Sequence, residues 1–303
     1  MPWLELSLTV SANRQAQIES ALEDLGALAI TLQDSDADTP DERAIFEPGV
    51  GETPMWNEIV LQALFDAEAD RAGLVHALSD LVPDVVPEQI AFRNIADQDW
   101  TRAWMDAFKP MQFGKRLWIY PWNIEPPPDP DDVIVRLDPG LAFGTGTHPT
   151  TALCLAWLDS LDLRGKTVID FGCGSGILAI AALKLGAARV IGVDNDEQAI
   201  IASRDNAERN GVSEKLDLYT PGRFAPVEAD VLVANILAGP LHDLAPQFAR
   251  CVKPGGSFAI SGILDGQHTE LLTRYAEWFD ALDAVIQDGW VRISGFRRRS
   301  VSR

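Results

Sequence analysis

Residues 168–194 decide the fold: Val168-Ile-Asp-Phe-Gly-Cys-Gly-Ser-Gly-Ile177, a helical stretch, then Arg189-Val-Ile-Gly-Val-Asp194. An apolar run of strand character leads into a glycine-rich turn. An amphipathic helix and a second apolar strand ending in an acid complete a nucleotide-binding βαβ unit. Gly172, Gly174 and Gly176 lack a Cβ, so the backbone can take positive φ and come into contact with a ligand. The helix N-terminus behind them presents unpaired N–H groups. Asp194, at the carboxyl end of the second strand, is placed to accept both hydroxyls of a ribose. An adenosine-type ligand held by Gly172, Gly174 and Asp194 is the expectation.

Glycine spacing narrows the ligand. A dinucleotide fingerprint, G-x-G-x-x-G, needs a third glycine at 177, where the chain has Ile177. The run is G-x-G-x-G, preceded by Asp170, a form typical of enzymes that use S-adenosylmethionine. Cys173 lies inside the turn and reads as a small side chain that fits there, not as a nucleophile.

The alternation continues on both sides. Leu137-Asp-Pro-Gly-Leu-Ala-Phe-Gly-Thr-Gly-Thr-His-Pro-Thr-Thr151 is a Gly/Thr-rich loop, and Pro149 suits the first turn of a helix running to about Leu161. Thr151 is expected to present its hydroxyl to the cofactor, and His148 reads as a helix cap or packing residue ahead of a general base. A helix over 197–210, strands over 215–219 and 230–235, a helix through Leu244 and Phe248, a turn over 253–256 and a strand over 257–262 follow. Asn235 falls at a strand's carboxyl end beside the cofactor crevice. Residues 284–296, with Asp288-Gly289 between two apolar runs, read as a hairpin. The expected class is α/β: a doubly wound, mostly parallel sheet of methyltransferase type ending in an antiparallel hairpin.

The first ninety residues are a different object. Leu4, Leu6, Leu8 and Val10 alternate as a strand, and Ile18, Ala21, Leu22 and Leu25 follow a helical period closed by Gly26. Strands over 27–33 and 58–65, a helix with Leu74, Leu78 and Leu81, and a last strand over 86–92 complete a βαββαβ order, a small ferredoxin-like α+β domain. Domain limits are set at 1–93, a linker helix at 94–110 carrying Trp100, Trp104, Ala107 and Phe108, and a catalytic domain at 111–303. The linker's aromatic stripe reads as core packing, or as a hinge. Residues 111–122 read as a strand pair, and 125–132 as an exposed loop.

Of the net charge of −20, residues 1–90 supply eighteen Asp and Glu against three Arg, a net of −15, and the rest 27 acids against 22 bases, a net of −5. Such a surface repels a phosphate backbone and steers a basic protein toward it. Plain solubility is the competing account. No apolar run approaches the roughly 20 residues of a membrane span, and no secretory pattern opens the chain. The three cysteines make no C-x-x-C pair, which suits the cytoplasm. The four histidines are scattered, so no metal site is expected. Without a heptad seam, a monomer is expected.

The run 137–151, the turn 168–180, Asp205-Asn-Ala-Glu-Arg-Asn-Gly211 and Ala234-Asn-Ile-Leu-Ala-Gly-Pro240 together resemble the PrmA family, the bacterial methyltransferases of large-subunit ribosomal protein L11. The resemblance extends through Trp100, Trp104 and the N-terminal domain, and is strongest over 97–262. It implies S-adenosyl-L-methionine as cofactor, contacted by Thr151, Gly172, Asp194 and Asn235. It further implies trimethylation of lysine ε-amines and the α-amine on a basic ribosomal protein gripped by the N-terminal domain. Asn235 is assigned the catalytic task of orienting the amine. Two other readings stay open: a nucleic-acid or small-molecule N-methyltransferase, disfavoured because Ile236 and Leu237 offer no stacking platform for a flipped base, and a non-catalytic cofactor-binding module.

Overall fold

A computed structural model describes residues 2–37, 55–95, 109–127, 129, 131–138 and 148–299. Residues 96–108 of the predicted linker helix, with Trp100 and Trp104, and most of the Gly/Thr-rich loop lie outside the described residues, while residues 94–95, expected in that helix, are strand, and 109–110 are not helical. The chain divides into two compact units, residues 1–103 and 104–303.

In the first unit, β1 (Trp3–Ser11), α1 (Gln15–Asp24), β2 (Ala29–Asp34), β3 (Glu58–Asp66), α2 (Arg71–Leu81) and β4 (Ala91–Ile95) build a four-stranded sheet of order β2-β3-β1-β4. All its pairs are antiparallel, the ferredoxin-like arrangement. Period-two alternation puts Leu4, Leu6 and Leu8 of β1 on the same face as Ile59 and Leu61 of β3, where Ile18, Leu22 and Leu78 of the helices cover them. The last strand starts five residues later than expected. Pro87 has a fixed φ and no N–H to give a ladder, so residues 87–89 form a 3₁₀ turn, closed by the Val86 N–H donating to Gln89 Oε1 at 3.2 Å. His76 is exposed on α2, 3.5 Å from Asp80.

The second unit opens with a three-stranded sheet, β5 (Met111–Phe113), β6 (Leu117–Tyr120) and β7 (Val133–Arg136). The β5–β6 pair was expected; β7 was not. Its last residue is fastened from several sides. Arg136 donates to the carbonyls of Trp122 at 2.8 Å and Ile124 at 3.0 Å. The Arg136 and Arg209 guanidinium groups lie 4.8 and 4.4 Å from the Trp122 ring centre.

The main sheet follows from α3 (Pro149–Ser160), β8 (Thr167–Phe171), α4 (Ile177–Lys184), β9 (Arg189–Val193), α5 (Glu197–Arg209), β10 (Leu216–Tyr219), β11 (Ala229–Asn235), α6 (Ala238–Cys251), β12 (Val252–Leu264), α7 (His268–Tyr275), β13 (Phe279–Gln287) and β14 (Trp290–Arg297). Its order is β10-β9-β8-β11-β12-β14-β13, parallel from β10 to β12 and antiparallel in the final two strands. Strand succession reverses between β8 and β11, and the crevice beyond their carboxyl ends is where such sheets bind ligands. Asp288 and Gly289, both at positive φ, make the two-residue hairpin turn.

Two details depart from expectation. Residues 253–256 do not separate helix from strand: β12 starts at Val252, and these residues bulge from it, with Gly255 at φ +80°. The helix α7 was not foreseen. Only Leu271 and Tyr275 of it are buried, and it is held by tertiary packing: the Tyr275 ring stacks on Phe258 at 5.3 Å, Phe258 meets Phe279 at 4.0 Å, and the Tyr275 hydroxyl donates to the Leu241 carbonyl at 2.9 Å. Phe258→Ala, which empties the middle of this stack, is expected to destabilise the second unit by about 3–5 kcal/mol. Chemical denaturation with a probe specific to that unit checks it; a loss under about 1 kcal/mol would show the stack to be dispensable.

Candidate active site

The glycine turn is built as its composition demands. Gly172, Gly174 and Gly176 have φ of +80°, +53° and +81°. The Gly172 and Cys173 N–H groups donate to the Val193 carbonyl at 2.7 and 3.1 Å, tying the turn to the end of β9. Asp194, the next residue, accepts the Gly174 N–H on Oδ2 at 2.8 Å and the Asp196 N–H on Oδ1 at 3.0 Å. From behind, α5 braces the turn: Ser203 Oγ donates to the Gly174 carbonyl at 2.9 Å, and Asn206 Nδ2 to that of Ser175 at 2.9 Å. Ser203 and Asn206 were not predicted as site residues, although Asn206 belongs to the 205–211 segment that carried the resemblance.

Asp170 lies beneath the turn, fully buried, and accepts the Ala179 N–H at 3.0 Å. Burial, and after it the Asp194 charge, pushes its carboxyl up to about 7, while the Ala179 bond opposes the rise. The folded state therefore holds a proton that the unfolded chain releases near 3.8. The associated stability is complete below that value and is lost as pH rises toward 7. Removal of the charge by Asp170→Asn is expected to flatten the fall in apo-protein melting temperature between pH 5 and 8. Parallel wild-type and variant slopes would contradict this. Cys173 is buried and its thiol is pushed far up by desolvation, so it stays protonated.

A cavity of about 200 Å³ opens on the turn. Thr151, Gly172, Gly174, Asp194, Asn235 and Ile236 are among its lining residues, so all four predicted site positions meet around one space. Asn235 ends β11, and its Nδ2 donates to the buried Thr151 Oγ1 at 3.2 Å, which turns its Oδ1 the other way. Ile236, not predicted, is set by two glycines. A Cβ on Gly172 would lie 2.1 Å from Ile236 Cγ2, and one on Gly262 2.2 Å from the Ile236 carbonyl oxygen. Its N–H donates to the Ser261 carbonyl at 3.1 Å. A larger cavity of about 610 Å³ is lined by Arg116, Asp159 and Arg164 at the carboxyl ends of α3 and α4. That is the opposite edge of the sheet, away from the turn of Gly172, Gly174 and Gly176.

His148 is the N-cap of α3. Its Nδ1 lies 2.8 Å from Thr150 Oγ1 and 3.4 Å from the Thr150 N–H, and burial lowers its pKa, so it is neutral at pH 7. The capping role was the favoured expectation, and the geometry supplies it.

Comparison with known sequences decides the family. The chain matches the family described as "Ribosomal protein L11 methyltransferase (PrmA)" over residues 2–298. It is 55% identical to the ribosomal protein L11 methyltransferase of Xanthomonas euvesicatoria, the alignment covering 98% of this chain and all of that relative. This chain belongs to the PrmA family. A PrmA relative from Shewanella amazonensis is 54% identical over 98% of the chain. Among solved structures, the ribosomal protein L11 methylase from Lactobacillus delbrueckii matches with a TM-score of 0.57 at 33% identity, over 63% of this chain and 99% of that one.

A PrmA methyltransferase uses S-adenosylmethionine, and the site fits it. The cradle at Gly172 is one that any Cβ would fill, Asp194 directly follows β9 and lines the cavity, and the switch-point crevice lies above them. Among the described residues, no helix is long and apolar enough to cross a membrane.

Proposed function

We propose that this chain methylates the amino groups of ribosomal protein L11, lysine ε-amines and the terminal α-amine, to the trimethylated state. The observation that carries the reading is the seating of Asn235, anchored by Thr151 on one side and bordering the cofactor cavity on the other. Gly172, Asp194, Thr151 and Asn235 are the residues that would hold the cofactor. Bound there, S-adenosylmethionine supplies a methyl group on a sulfonium centre. What the chain must add is a neutral amine in line with it, so positioning dominates.

Protonation is the obstacle. A free lysine with pKa about 10.4 is neutral in roughly one molecule in two thousand at pH 7, a penalty of about 4.6 kcal/mol. Desolvation in the crevice lowers that cost. Asn235 Oδ1 and the Ile236 carbonyl accept the amine's N–H bonds and aim its lone pair. The Ile236 carbonyl suits this because the residue four positions on is Pro240, which has no N–H to bond it in the usual helical pattern.

The N-terminal unit, residues 1–93, is assigned substrate recognition. Its net acidity complements a basic ribosomal protein. Residues 94–110 act as linker and 111–303 carry methyl transfer. The enzyme works as a cytoplasmic monomer and makes no recognition contacts of its own to nucleic acid. Intact-mass analysis tests the whole reading, using large-subunit proteins from cells lacking the endogenous activity, incubated with enzyme and S-adenosylmethionine. Successive methyl increments on one basic protein are expected; increments on RNA alone, or none at all with cofactor binding confirmed, would overturn it.

A further inference from the structure

Two rings at the same edge of the sheet as Asn235 have no part in amine orientation. Because β14 runs antiparallel to β12, its first residue, Trp290, pairs with Leu264 at the carboxyl edge of the parallel strands, the edge that also presents Asp194 and Asn235. The hairpin is pinned there by the Asp265 N–H, which donates to the Gly289 carbonyl at 2.8 Å. His148 caps α3 one turn before Thr151. Its ring centre lies 4.6 Å from that of Trp290, with the planes at 71°. Both residues are half-buried.

Resting on the amine-methyltransferase reading, we propose that the Trp290–His148 pair is a wall of the acceptor site, holding methylated ammonium groups by cation–π attraction so that partly methylated acceptors stay for further transfers. Each transfer replaces an amine N–H with a methyl, and carbonyl and amide oxygens can hold only what still carries N–H. Grip by Asn235 Oδ1 therefore weakens as methylation proceeds, whereas a larger, more weakly hydrated cation binds an aromatic face better. A wall of rings takes over where the oxygens lose their partners. His148 suits the wall because burial keeps its imidazole uncharged, so it does not repel the cation.

The test uses recombinant, unmethylated ribosomal protein L11, with mono-, di- and trimethyl species resolved by mass over time. Trp290→Leu is expected to leave the first transfer within a few-fold of wild type, to raise the acceptor KM for the dimethylated intermediate about tenfold, and to let mono- and dimethyl species accumulate; Trp290→Phe restores most of the trimethylated product. Placing mono-, di- and trifluorinated tryptophans at position 290 keeps the shape while draining the ring face, and trimethyl yield should fall stepwise with fluorine number. A flat fluorine series, or wild-type product distribution in Trp290→Leu, overturns the inference even if the other variant fails to fold. Absence of any methylation by the wild-type enzyme would instead bring down the underlying reading.

Discussion

Gly172→Ala is expected to lower cofactor affinity at least about a hundredfold while leaving the rest of the sheet folded. Two costs combine at this position. A φ of +80° is poor for any residue with a Cβ, at roughly 1–2 kcal/mol, and the added methyl would sit 2.1 Å from Ile236 Cγ2. No rotamer of alanine avoids the contact, so Ile236 must move, and with it the wall of the cavity and the adjacent Asn235. A displacement of about 1 Å in such a constellation costs on the order of a hundredfold. Titration calorimetry with S-adenosylmethionine is the measurement. An affinity within threefold of wild type would show that the turn does not cradle the ligand.

Asn235→Ala is expected to lower kcat by about 10²–10³, the usual size of losing one preorganised polar contact at a reacting centre, with cofactor affinity reduced less than tenfold. The unequal losses are the diagnostic: Asn235 borders the cavity but in the proposed mechanism orients the acceptor, so its loss should fall on the chemical step. Thr151→Val, which keeps the shape and removes only the hydroxyl that accepts the Asn235 amide, should fall between, at about tenfold in kcat. An unchanged kcat in Asn235→Ala would remove that residue from the mechanism.

Much of 168–235 was legible because β8, β9 and β11 are buried on both faces and the turn after β8 is built of glycines at positive φ. Asp194 and Asn235 could be placed from the sequence because each closes such a strand, at the edge where ligands bind. What escaped was decided by contacts distant in sequence. Strand β7 has only four residues, too few for a period, and is held by Arg136 and its partners. Helix α7 owes its place to the ring of Phe258, and the shift of β4 to the preference of Pro87 for a 3₁₀ turn. Ile236 was invisible for a similar reason: its task is to fill the space left by Gly172 and Gly262, and no local pattern marks an aliphatic residue for that.

The seating of Ile236 between those glycines has a thermodynamic corollary. Its side chain borders the cofactor cavity and its carbonyl lies on the segment proposed to aim the amine, with Gly172 under one and Gly262 under the other. Both halves belong to one residue, so a displacement of its backbone moves them together. A ligand that firms the cofactor side therefore firms the acceptor side, and linkage makes the benefit mutual: whatever factor the cofactor lends to acceptor affinity, the acceptor returns to the cofactor. Product departure then follows as release of a latch, since loss of either partner loosens the hold on the one that remains.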